Sequence, residues 1–169
     1  MSLFEPIFTG LNDAKIRYVV VGGLAVVLHG HARLTADIDL VIDLETSHVK
    51  RTLAALTRLG LRPRLPVQAD LFADAAVRQA WIRERKMRVF SLFDPSDPLR
   101  TVDLFSEHPI EFEALWSRSV LLEIAGTSIR IASIADLIAL KAIAGRPQDL
   151  ADIEQLKRIQ QRRKDSRHG

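Results

Sequence analysis

Apolar residues along the first third of the chain change period four times, and each change marks an element. Leu3, Phe4, Ile7, Phe8 and Leu11 recur at helical spacing, which predicts an amphipathic helix over residues 3–13 with Pro6 in its tolerant first turn. Residues 16–21 are a β-branched run closed by Gly22-Gly23, the mark of a buried strand. A helix follows over 24–29, then a strand over 38–42. A third helix spans 46–59, with Leu53, Leu56 and Leu59 on one face and Gly60 as its stop.

The middle is less regular. Pro63 and Pro66 predict a loop over 60–69, and a helix is expected over 70–87. Strands over 88–93 and 101–105 are joined by DPSDP, a strong turn signal. A short helix over 111–116 and a hairpin of 120–124 with 128–131 across Gly126 follow. A helix over 133–144 has Ser133 as N-cap and Asp136 as its acidic partner at N3. Gly145-Arg146-Pro147 breaks it before a last, polar helix over 148–161. Alternating strands and helices predict an α/β fold, a mixed β-sheet flanked by helices, with a core over 1–132 and a helical extension over 133–169.

Composition narrows the class. A chain of 169 residues suits one domain with a substantial core. It has no cysteine, which removes disulfides and thiolate metal sites and fits a reducing, cytoplasmic setting. The apolar run of 18–28 is interrupted by glycines and is far below the ~20 residues of a membrane span. The N-terminus lacks the pattern of a signal peptide. Net charge is only +3, but Lys157, Arg158, Arg162, Arg163, Lys164 and Arg167 crowd the end of the chain against Asp165 alone. Such a tail can lie on a phosphate backbone or can be a solvated terminus.

The chemistry concentrates in YVVVGGLAVVLHGHARLTADIDLVID, residues 18–43. Asp37 and Asp39 are two apart on a strand, so both carboxylates point to one face about 6.5–7 Å apart at Cα. Paired carboxylates suit a hard cation such as magnesium that also holds substrate phosphates. Gly22-Gly23 stands where a strand becomes a helix, so the backbone can approach a phosphate closely. Asp103, an acid inside the apolar strand TVDLF, is the candidate third carboxylate, as metal ligand or proton acceptor. Lys141 is a lone cation on an apolar helix, suited to a phosphate or to snorkelling. For His29 and His31 a structural or substrate-facing role is expected rather than metal binding. Trp81 and Trp116 are expected in the core.

Gly-Gly, a short helix, then Arg33-x-Thr35-x-Asp37-x-Asp39 resembles the signature of the nucleotidyltransferase superfamily that includes DNA polymerase β. The nearest resemblance is to small prokaryotic members of the AbiEii toxin type and related uncharacterised nucleotidyltransferases. KAIAGRPQDLADI, residues 141–153, resembles an element those proteins carry after the core. The resemblance implies Asp37, Asp39 and Asp103 as catalytic metal-binding acids. It implies Gly22, Gly23, Arg33, Thr35, Lys141 and Asp149 as the nucleotide-binding set. It further implies two Mg2+ ions, with Mn2+ as a substitute, and transfer of a nucleotidyl group from a nucleoside triphosphate to an acceptor hydroxyl. The acceptor would be RNA (tRNA in some toxin relatives), protein or a small molecule, and a cognate antitoxin would be the partner. A non-catalytic nucleotide- or partner-binding member of the same fold is the alternative. Gly23 departs from the pattern, because many members have serine there and gain a hydroxyl contact to phosphate.

Overall fold

Four consecutive residues with no exposed face, Tyr18–Val21, form β1 at the interior of the sheet. A strand buried on both sides needs cover on both sides, which accounts for its unbroken apolar sequence. The computed structural model describes residues 3–169. Around β1 it builds α1 (Glu5–Asp13), α2 (Gly22–Leu28), β2 (Asp37–Ile42), α3 (Thr46–Arg58), β3 (Arg62–Pro63) and α4 (Ala75–Arg85). There follow β4 (Val89–Asp94), β5 (Asp97–Phe105), α5 (Phe112–Arg118), β6 (Val120–Ile124), β7 (Thr127–Ile131), α6 (Ile134–Ala144) and α7 (Pro147–Arg167).

The seven strands form one mixed sheet in the order β3-β4-β5-β2-β1-β7-β6. β2 runs antiparallel to β1 and parallel to β5, while β7 joins β1 in parallel. The predicted mixed sheet with flanking helices and a helical C-terminus is therefore the observed fold. Ile7, Phe8 and Leu11 bury the inner face of α1, and Val49, Leu53 and Leu56 that of α3. Phe72, Phe90 and Trp81 form a stacked aromatic series under α4, with centroids 4.7 and 5.8 Å apart. No described helix is long and apolar enough to cross a membrane.

Three predicted elements differ in detail. The helix expected over 70–87 is split into a 3-10 turn, Ala69–Ala73, and α4. The Asp74 carboxylate accepts from the amides of Ala76 and Val77, so the acid caps a new helix instead of lying inside one. The proline-rich loop contributes a two-residue edge strand, β3, antiparallel to β4. The last helix runs to Arg167 and is 21 residues long, so the basic tail is ordered helix rather than a frayed end.

Ser133 accepts from the Asp136 amide as the capping pattern predicts, at 3.1 Å. The Asp136 carboxylate turns instead to Arg118, which it meets through two bonds of 2.9 Å. Gly145 closes α6 with φ +63°, a left-handed cap that glycine adopts without steric penalty.

Candidate active site

β1 gives way to α2 at Gly22, whose φ is +68°. A Cβ built at Gly22 would overlap the Asp39 carboxylate, so the chain passes against that acid with no room for a side chain. At Gly23 a Cβ would lie 2.7 Å from the Arg33 guanidinium and 2.8 Å from Thr35 Oγ1. The glycine pair thus lets the start of α2 sit directly on Arg33, Thr35 and Asp39. No side chain caps α2 at Val21, which leaves its first amides without a side-chain partner. Arg33 Nε is buried there and has no hydrogen-bond partner. Free amides and an orphaned guanidinium nitrogen side by side suit an anion.

Register assembles the acids. Asp39 stands opposite Val21 of β1 on one side and opposite Asp103 of β5 on the other. Asp37, two residues before Asp39 on the same strand, stands opposite Thr101. The three carboxylates therefore come from two adjacent strands, beside the Gly22 turn. Burial pushes the Asp39 carboxyl up to about 7, and the charges of Asp103 and Asp37 push the same way while Lys141 opposes them. Burial likewise raises Asp103, but hydrogen bonds from Ser91 and Asp39 favour its ionised form. Both carboxyls are thus held above the usual carboxylate range, Asp39 by burial and by the neighbouring acids, Asp103 by burial.

Among the described residues no three histidine or acidic side chains are already gathered as a metal-ligand set. Magnesium commonly takes only one or two carboxylates and completes its shell with water and substrate phosphate. A pair of half-buried acids crowded by a third fits that requirement, because a cation would relieve their mutual repulsion.

Lys141, expected at a nucleotide phosphate, lies among the acids of α7. Its ammonium is buried, 2.8 Å from Asp152 Oδ2 and 3.5 Å from Asp149 Oδ1. Asp152 is fully buried and also takes Arg33 at 2.9 Å and Gln148 at 3.0 Å. Asp149 binds the Arg146 backbone and guanidinium at the start of α7. The helix-start pair is accordingly Arg146–Asp149. Asp152 instead moors Arg33 to the α6–α7 pair and so fixes the cation beside Gly23.

Two contributors carry no readable motif. Ser91 of β4 lies directly across from Asp103 and donates to its Oδ1 at 2.6 Å. Arg64 donates to Thr101 Oγ1 at 3.2 Å, and its charge also favours ionised Asp103. His29 bonds the Ala132 carbonyl and Arg163, a structural setting. Trp81 is in the core, whereas Trp116 is half-buried between the guanidiniums of Arg17 and Arg130.

Residues 2–162 match the family described as nucleotidyltransferase of unknown function (DUF6036). No curated protein matches the sequence. Among solved structures, the lincosamide antibiotic adenylyltransferase LnuA, lincomycin-bound, is 16% identical with a TM-score of 0.64, over 94% of this chain and 97% of that one. An antigenic nucleotidyltransferase-like protein from Paracoccidioides brasiliensis is 16% identical, TM-score 0.58, over 92% and 73%. The antibiotic-modifying ANT(2'')-Ia, in complex with adenylyl-2''-tobramycin, is 16% identical, TM-score 0.55, over 99% and 98%. At these identities the likeness is one of fold.

Proposed function

Because this chain belongs to that nucleotidyltransferase family, we propose that it moves a nucleoside monophosphate from a nucleoside triphosphate to an acceptor hydroxyl. The observation that carries this reading is the convergence of Asp37, Asp39 and Asp103 beside the side-chain-free turn at Gly22-Gly23. The acceptor oxygen forms a bond to the α-phosphorus, and the bond from that phosphorus to the β-bridging oxygen breaks. Pyrophosphate leaves, and the hydroxyl proton passes to a carboxylate. Asp103 is the residue for that proton, because burial raises its carboxyl above the usual range and Ser91 fixes its Oδ1 at 2.6 Å.

Gly22 and Gly23 bring backbone amides against the triphosphate, while Arg33 and Thr35 flank it. Lys141 and Asp149 act on this site by holding the α6–α7 pair together, and Asp152 by aiming Arg33. Magnesium, with manganese as a substitute, would be held by Asp37, Asp39 and Asp103 and would supply neutralisation of phosphate charge. Every other contribution is positioning.

The sequence resemblance to AbiEii-type proteins supports a toxin role with a cognate antitoxin in the cytoplasm. The likeness to antibiotic adenylyltransferases supports a small-molecule acceptor as a competing arm. The test incubates the protein with Mg2+, each α-labelled nucleoside triphosphate in turn, and either RNA, protein, lincomycin or tobramycin. Label transferred to one acceptor and lost in Asp37→Ala/Asp39→Ala is the expected result. Bound nucleotide with no transfer to any acceptor would sink the enzyme reading and favour a non-catalytic binding protein.

A further inference from the structure

The body-facing stripe of α7 runs Asp149, Asp152, Leu156 and Ile159, all buried, at alternating spacings of three and four. Continued by the same rule, the stripe reaches Arg163 and Ser166, with Arg167 one turn beyond Arg163. Where a packed helix would go on placing apolar side chains, this one turns cationic. On this surface is an open hollow of about 370 Å³, lined by Ile159, Arg162, Arg163, Ser166 and Arg167 of α7 itself.

None of these three arginines has a carboxylate partner among the described residues, although seven other cations of the chain do. Arg163 is held in place by the His29 carbonyl, at 3.1 Å, and by His29 Nδ1 at 3.4 Å. That carbonyl ends α2, so a helix C-terminus anchors the guanidinium. Ser166 Oγ donates to the Arg162 carbonyl. The hollow thus holds fixed positive charge, one hydroxyl and an apolar floor at Ile159. It is separated from the Gly22 turn by the length of α2, about 10 Å.

A single small anion would use only part of this charge. Lys157 and Lys164 continue it along the exposed side of the same helix, with Arg158 paired to Glu154, so cations span about 15 Å of axis from residue 157 to residue 167. Strips of that length with unpaired guanidiniums match successive phosphates of a strand.

We propose that the open, arginine-lined hollow on the C-terminal turns of α7 is a docking site for the phosphodiester backbone of a single-stranded nucleic acid. It rests on the nucleotidyl-transfer reading only for the further step of naming that strand as the acceptor. Strand binding itself is independent of the acids at Asp37, Asp39 and Asp103.

The test is fluorescence anisotropy of the full chain with a labelled 12-nucleotide RNA and a DNA of the same sequence, in EDTA and without nucleotide, over a salt series. Arg162→Gln/Arg167→Gln should weaken binding at least tenfold and lower the slope of log K against log salt by about 1 per arginine removed. Arg83→Gln/Arg85→Gln on α4 removes the same charge elsewhere and should leave both unchanged. Equal loss in the two variants would reduce the effect to net charge and overturn the site. So would tighter binding of inorganic pyrophosphate than of either strand, which would mark a small-anion pocket. Nucleotidyl transfer without strand binding would overturn this proposal alone. Strand binding through the hollow without any transfer would uphold it and sink the catalytic reading.

Discussion

Gly22 and Asp39 share a contact that leaves no space for a side chain at position 22, and the φ of +68° there is itself a conformation that other residues resist. Gly22→Ala should therefore displace the Asp39 carboxylate as well as strain the backbone. The left-handed conformation alone costs about 1–2 kcal/mol for an L-residue. A lowered melting temperature and a loss of nucleotidyl transfer of at least roughly 100-fold, as small misplacements at a reacting centre produce, are the expected outcomes. Full activity in this variant would mean that the turn is not part of the site.

Ser91 is expected to act on rate and not on nucleotide affinity. A hydrogen bond to a charged group is worth about 1.5–3 kcal/mol, so Ser91→Ala should lower kcat about 10–100-fold. KM for the nucleoside triphosphate should stay within a factor of about two, since Ser91 touches Asp103 and not the glycine turn. Ser91→Thr restores the hydroxyl and should recover much of kcat. A change in KM alone would contradict the assignment.

Lys141 separates two readings of one residue. As an ion-pair partner of two buried acids it should matter chiefly for stability. Lys141→Met leaves Asp152 to Arg33 alone and Asp149 to Arg146 alone, a loss of about 1–3 kcal/mol in urea unfolding. Adding Asp152→Asn should return part of that stability. A Lys141→Met protein as stable as the parent but unable to bind nucleotide would instead favour direct phosphate contact.

His48 builds acid sensitivity into the fold, far from the acids. Its Nε2 accepts the Arg17 amide at 2.8 Å and its Nδ1 donates to the Asp43 carbonyl at 2.7 Å, so the ring is neutral with the proton on Nδ1. Burial lowers its pKa below the ordinary 6.5, against the opposing pull of the Asp43 carbonyl and carboxylate. The unfolded chain then binds the proton more readily than the folded one. Its contribution is complete above pH 6.5 and disappears as the pH falls through the depressed folded-state value. Urea midpoints measured from pH 7.5 down to 5 should fall, and His48→Gln should flatten that fall. An unchanged pH slope in the variant would assign the acid sensitivity to other groups.

Local periodicity made Asp37 and Asp39 legible, since strand alternation fixes their common face, and it marked Asp103 as an acid misplaced in an apolar run. The turn at Gly22-Gly23 was equally plain. The supporting residues were not, because their partners are set by register and by contacts distant in sequence. Ser91 becomes meaningful only once β4 pairs with β5, and Arg33 only once Asp152 arrives from 119 positions away. The division at Asp74 was hidden because an acid inside a polar stretch reads equally well as helix interior or as cap. The length of α7 was misjudged for a related reason: its apolar stripe ends at Ile159 while the helix continues on charged residues.

The Arg33–Asp152 bond also sets an order of assembly during synthesis. A ribosome releases β1, α2 and β2 long before α7, so the emerging chain has its paired aspartates while Arg33 is still unmoored. The arginine acquires its fixed direction only when the final helix docks. Synthesis must pass residue 152 before the cation beside Gly23 is in place, which keeps a shorter nascent chain from assembling a complete site.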